Sequence, residues 1–163
     1  MAAALDAAFR YDTRALIEPS QEGFLEVECG VLGNDEPVAS LAGQILPARE
    51  FYDYEAKYVD DSTNLAIPAP LEPPLMKKVQ ELAVQAFKAT CCKGMARVDF
   101  FVDPSAGHAY VSELNTIPGF TEISMYPKLW EASGMPVSEL VKKLVDLAIE
   151  RQASDVREVR LVL

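Results

Sequence analysis

Positive charge is scarce in this chain: 15 lysines and arginines stand against 25 aspartates and glutamates, a formal net charge of -10 over 163 residues. A surface of that sign repels phosphate backbones and anionic headgroups, so neither a nucleic-acid partner nor a membrane-surface role is expected. Any phosphate the protein holds must be met by a local cation. Long apolar runs are also lacking. The Ala-rich opening is interrupted by Asp6 and Arg10 before a signal-like stretch develops, and no segment approaches the ~20 apolar residues of a membrane span. A cytoplasmic location is therefore expected. Only three cysteines occur, Cys29, Cys91 and Cys92, an odd number without Cys-x-x-Cys spacing. That pattern offers neither a disulfide framework nor a zinc site and reads as buried thiols. The single histidine, His108, falls in an expected turn and is given no role. Internal repeats and low-complexity segments are absent.

What remains, 50% hydrophobic and 25% charged residues, is ordinary material for one folded domain with a core. Patterning predicts a helix over 2–10, a short strand over 15–18, and a strand over 24–32 with Val27, Cys29 and Val31 on one face. A turn at Gly33-Asn34-Asp35 and a return strand over 38–46 complete an antiparallel hairpin. Residues 47–74 carry many charges and aromatics but no sustained period, which suits a lid loop better than a connector. Next, Leu75, Val79, Leu82 and Ala86 form an apolar helical stripe, with Ala83 and Phe87 beside it and Gly94 placed to end the helix. Residues 126–133 predict a short helix stopped by Gly134. After Pro136, Val137, Leu140, Val141, Leu144 and Leu147 line one face of another. The tail over 154–163 alternates charged and apolar residues in a strand-like way.

The segment 97–115 reads as two strands around a turn at 103–107. A register symmetric about Ala106 sets Asp99 opposite Glu113 and Arg97 opposite Asn115, all four on one face. The other face then carries Val98, Phe100, Val102, Tyr110 and Leu114, with Ser112 as the exception. Carboxylates paired across strands repel, so Asp99 and Glu113 call for Arg97 or for a hard cation such as magnesium. Pattern alone leaves two readings open, a cation site and a plain salt-bridge cluster. Pro118 and Gly119 then force irregular backbone before a helix beginning near Ser124, where exposed amides and hydroxyls can receive a carboxylate or a developing oxyanion.

Three motifs in order, 51–58 (FYDYEAKY), 97–99 (RVD) and 113–121 (ELNTIPGFT), closely resemble the D-alanine–D-alanine ligases. The similarity runs from the opening helix to about Arg151 and leaves the tail 152–163 uncovered. The resemblance implies the carboxy-terminal half of an ATP-grasp fold, an α+β domain with a mainly antiparallel sheet flanked by helices, truncated at its amino terminus. It implies ATP and magnesium, with manganese as a substitute, and two D-alanines joined through an acyl phosphate for peptidoglycan precursors. By matching positions, Asp99, Glu113 and Asn115 would hold the metal, and Arg97 would stabilise the transferring phosphoryl group. The Gly119 amide would complete the oxyanion site, while Ser124 and the Met125 amide would take the second substrate's carboxylate. Lys57 would reach the ATP phosphates and Tyr58 would help close the lid, favouring an amino-acid acceptor. Glu26 would bind the ribose hydroxyls, Glu18 the adenine amine, and Phe51 and Phe101 the base. The family's first-substrate domain and phosphate-covering loop have no counterpart in this sequence, so the isolated chain is expected to be inactive or poor and to need that region as a partner. A homodimer is compatible with the resemblance. Two other classes stay open: a non-catalytic nucleotide-binding remnant, and a ligase of the same fold with another acceptor.

Overall fold

The computed structural model of the chain describes residues 2–46 and 64–160. Among these residues nine elements follow in order: α1 (Ala2–Ala8), β1 (Leu25–Gly33), β2 (Val38–Leu46), β3 (Asn64–Ala66), α2 (Pro73–Ala89), β4 (Gly94–Asp103), β5 (His108–Asn115), α3 (Met125–Ala132) and α4 (Val137–Arg160). The strands form one antiparallel sheet in the order β3-β2-β1-β4-β5. The expected α+β class is thus what the chain adopts.

Alternation builds the layers. Along β4, Ala96, Val98, Phe100 and Val102 are buried while the residues between them are half-buried. With Val27, Cys29 and Val31 of β1 these pack against Leu75, Val79, Ala83 and Phe87 of α2, so α2 covers one face of the sheet. Among the described residues the other face is covered only in part: Leu32 packs with Tyr126 and Trp130 of α3 and with Leu140 and Leu147 of α4. Ile45 meets Met125 and Leu129. The Tyr126 hydroxyl donates to the Val31 carbonyl at 2.9 Å, and the Leu41 amide donates to the Ser133 hydroxyl at 2.8 Å, pinning α3 to β1 and β2. Asn34 fastens α4, its amide donating to the Leu147 carbonyl and to Glu150, both at 2.9 Å, while its oxygen accepts from the Gly94 amide at 3.2 Å. At Gly33, φ is +140°, and a Cβ there would meet Pro37 Cα at 2.7 Å, which explains glycine at this turn.

Several expectations fail. Residues 15–18 form no strand: they pair with none of the described strands, and Leu16 and Ile17 are 82% and 63% exposed. A short apolar run without a ladder partner does not make a strand. The helix α2 stops at Ala89, and the left-handed residue after it is Cys91, with φ of 56°; Gly94 instead opens β4. Cys29 is buried, with burial pushing its thiol up to about 12, but Cys91 is exposed and Cys92 half-buried, so only one of the three is a core thiol. On α4, Val137 and Val141 are exposed while Leu140 and Leu147 form the buried face. The tail is not strand-like through 154–160: α4 runs unbroken to Arg160. His108 begins β5, exposed, one residue beyond the turn. Within 47–74, β3 adds a short edge strand from Asn64 to Ala66; the lid reading otherwise falls on 47–63, outside the described residues.

Candidate active site

Among the described residues, the part of the sheet face opposite α2 that α3 and α4 leave uncovered is an open cleft of about 230 Å³, lined by Glu26, Glu28, Ile45, Asp99, Phe101, Ser112 and Glu113, with Val27 and Phe100 at its floor. The register explains who meets whom. Asp99 is opposite Glu28 on β1 and opposite Glu113 on β5, so three carboxylates form one row across three strands. In the next row Arg97 lies between Gly30 and Asn115, and on the other side Phe101 lies between Glu26 and Tyr110. The expected pairs Asp99–Glu113 and Arg97–Asn115 are both present.

Beyond Asp99 the register slips by one, because β5 carries a bulge between the partners of Asp99 and Phe100. Phe100 pairs with Val111 and Phe101 with Tyr110, which corrects the expected apolar face. Tyr110 leaves that face and stacks on Phe24 at 6.1 Å, Ala109 takes its place beside Val102, and the extra residue, Ser112, lines the cleft.

Arg97 organises the charge. Its Nε and Nη2 donate to the two oxygens of Asp99, each at 2.7 Å, and Nε lies 3.1 Å from Glu28 Oε2. These side chains are well shielded, Arg97 17%, Asp99 16% and Glu28 7% exposed. Burial by itself would weaken the guanidinium as a base, but the Asp99 hydrogen bonds and the charges of Glu28, Asp99 and Glu113 outweigh it and raise its affinity for the proton. It is a permanent cation here. Sequence reasoning missed Glu28, although the signal was present: it stands two residues from Glu26, on the same face of a strand whose other residues are core.

The residues expected to take the second substrate lie after β5. Gly119 is exposed in the loop, Ser124 is the N-cap of α3 and Met125 its first residue. Ser124 makes no capping bond; its oxygen accepts from the Thr121 amide at 3.0 Å and pairs with the Thr121 hydroxyl at 2.8 Å. A Cβ on Gly119 would meet Ser124 Oγ at 2.9 Å, so glycine is required for this approach. The Met125 amide is one of the free donors of a helix start, while its side chain is buried. Gly119, Ser124 and Met125 do not line the cleft of Asp99 and Glu113. Glu18 lies on exposed coil and does not line it either. Phe51, Lys57 and Tyr58 fall outside the described residues.

Among the described residues no cluster of three His, Cys, Asp or Glu side chains is disposed to hold a metal by itself. The donor chemistry nevertheless suits a hard cation: Glu26, Glu28, Asp99 and Glu113 place four carboxylates along one cleft against one arginine, with no soft ligand among its lining residues. Among the described residues, no helix is long and apolar enough to cross a membrane.

Comparison with known proteins gives the site its context. The D-alanine–D-alanine ligase of Acetivibrio thermocellus is 52% identical over 155 residues, covering 95% of this chain and 41% of the relative. Among solved structures, the D-alanine–D-alanine ligase of Coxiella burnetii is 42% identical with a TM-score of 0.84, covering 98% of this chain and 41% of that one. The VanG D-Ala:D-Ser ligase of Enterococcus faecalis is 40% identical with a TM-score of 0.76, covering 90% and 42% respectively. The chain thus spans about two-fifths of the length of the relatives it matches. The family described as D-ala D-ala ligase C-terminus matches residues 1–146, and with that match over most of its length the chain belongs to this family.

Proposed function

We propose that this chain supplies the nucleotide- and cation-binding part of a ligase that uses ATP to join two D-alanines through an acyl phosphate, in the synthesis of peptidoglycan precursors. The observation that carries the reading is the carboxylate row Glu28–Asp99–Glu113 with Arg97 clamped beside it in an open cleft. In this reading Asp99, Glu113 and Asn115 hold magnesium, which when bound neutralises the charge of the nucleotide phosphates. Arg97 is already ordered and charged, so it can stabilise the transferring phosphoryl group without reorganising. Glu26 accepts from the ribose hydroxyls. Phe101, with Phe51, flanks the base, and Glu18 receives its amine. Lys57 meets the phosphates and Tyr58 closes over the site. The Gly119 amide steadies the oxyanion formed when the second amine attacks, and Ser124 with the Met125 amide holds that substrate's carboxylate. A carboxylate there is favoured by the free amides of the α3 start.

The relatives are longer than this chain, and activity is assigned to the assembly of this part with the amino-terminal share of the relatives' length. That share would cover the cleft and exclude water from the acyl phosphate. A second acceptor, D-serine, is kept because the D-Ala:D-Ser ligase is almost as similar as the D-alanine–D-alanine ligase of Coxiella. The test joins the chain to the amino-terminal portion of the Acetivibrio relative and follows dipeptide formation with D-alanine alone and with D-serine added. D-Alanyl-D-alanine as the main product is expected; a mixed dipeptide would move the acceptor, and no dipeptide would defeat the ligase reading.

A further inference from the structure

The Arg97–Asp99 clamp conflicts with a cation-binding role for Asp99. Both Asp99 oxygens accept from the guanidinium at 2.7 Å, and a carboxylate held by both oxygens must release at least one before it can ligate a divalent ion. Releasing Arg97 outright would leave a shielded guanidinium, 17% exposed, without its closest counter-charge. Glu28 removes the conflict. It faces Asp99 across the β1–β4 ladder, it is 5% exposed, and its Oε2 already lies 3.1 Å from the same Nε that donates to Asp99 Oδ1.

We propose that Glu28 is a positioning residue that takes over Arg97 when Asp99 turns to a cation. The Nε–H is donated to Asp99 Oδ1 while Glu28 Oε2 stands 3.1 Å from the same nitrogen as an ion-pair partner, so turning that donor to Glu28 requires little movement of the arginine stem, and the guanidinium keeps both its place and its counter-charge. Asp99 then has an oxygen to give, next to Glu113 in the same row. Arg97 thus remains beside the cation site instead of competing with it. This rests on the cation reading of Asp99 given above and deepens it, by assigning a residue that neither touches the cation nor needs to.

The experiment uses this chain and two readouts. The first is solvent exchange of the Arg97 Nε–H by nitrogen-15 NMR, assigned by its loss in Arg97→Lys. Asp99→Ala withdraws that acceptor without any metal and is expected to leave the proton protected, as is Glu28→Ala alone. In the double variant it is expected to exchange on the order of tenfold faster or more, and Glu28→Asp, which keeps a carboxylate, is expected to restore protection in the Asp99→Ala background. Loss of protection in Asp99→Ala alone, or its persistence in the double variant, would overturn the hand-over. The second is manganese affinity by electron paramagnetic resonance. Glu28→Gln is expected to weaken binding in the otherwise unaltered chain and to have no effect in the Arg97→Met background; an equal loss in both backgrounds would make Glu28 a ligand or a source of field and overturn its positioning role. Failure of the underlying reading is distinct: the unaltered chain would bind no manganese while the exchange pattern stood.

Discussion

Two carboxylates depend on one guanidinium in this cleft, and Glu28 is 5% exposed. Arg97→Met should therefore cost about 3–5 kcal/mol, read from urea unfolding, since it leaves Glu28 and Asp99 facing each other with the cation gone. A loss within ~0.5 kcal/mol, the range of ordinary surface changes, would mean the clamp is not held in solution. Gly119→Ala acts differently, because the added Cβ would lie 2.9 Å from Ser124 Oγ. It should displace the hydroxyl from its Thr121 partners and raise KM for the acceptor amino acid in the joined protein by roughly tenfold or more, while nucleotide KM stays unchanged. An unchanged acceptor KM would remove Ser124 from the site. Much of this was legible in the sequence, because Asp99, Glu113 and Asn115 stand at spacings that a hairpin brings onto one face. Glu28 was legible only in its spacing from Glu26; its partner on β4 was not, because that depends on a long-range ladder that no local pattern announces. The Ser124–Thr121 contact was hidden too, since loop side-chain bonds follow from backbone turns without a period.

At the scale of elements, the β4–β5 hairpin owes its turn to Asp103, whose Oδ1 accepts from the Ser105 amide at 2.9 Å, the Ser105 hydroxyl at 2.6 Å and the Ala106 amide at 3.2 Å. The Ser105 hydroxyl first, then the Ala106 amide, hold this carboxyl below its ordinary value of 3.8. A group whose folded pKa is depressed stabilises the fold above its unfolded pKa and loses that contribution as pH falls through the folded one. The stability gap between the native chain and Asp103→Asn should thus be full at pH 6 and close as pH falls below 3.8; a gap constant down to pH 2 would contradict this. Lys78 fastens the same turn to α2 by donating to the Gly107 carbonyl at 2.8 Å. Within α2, Phe87 is fully buried in the main core, so Phe87→Ala should cost about 3–5 kcal/mol by denaturant unfolding. On the other face, Tyr126→Phe removes the bond to Val31 and leaves that carbonyl without its hydroxyl donor, which should cost about 1 kcal/mol. Helices were the most legible elements, as the α2 stripe shows. The bulge at Ser112 was not, because one extra residue in a strand leaves the composition of both strands unchanged. The end of α4 was misread for a related reason: in 154–160, Val156 and Val159 stand three apart, a spacing that serves a helix, and the alternation of charge with apolar residues obscured it.

Among the described residues the molecule is a sheet with one face closed by α2 and the other closed only at the end where α3 and α4 pack. Its cleft is open, and the chain spans 41% of the Acetivibrio relative. An open cleft would admit water to the acyl phosphate proposed above and weaken every charge interaction in it. The chain by itself is therefore expected to turn over poorly, and covering the cleft is expected to restore activity. The deciding measurement is D-alanine-dependent phosphate release from magnesium–ATP by the chain joined to the amino-terminal portion of that relative, with Asp99→Asn as the matched control. Release that requires D-alanine and falls by about a hundredfold or more in the variant is the expected result. No release from the joined protein, or release that survives Asp99→Asn, would contradict the role proposed for the cleft.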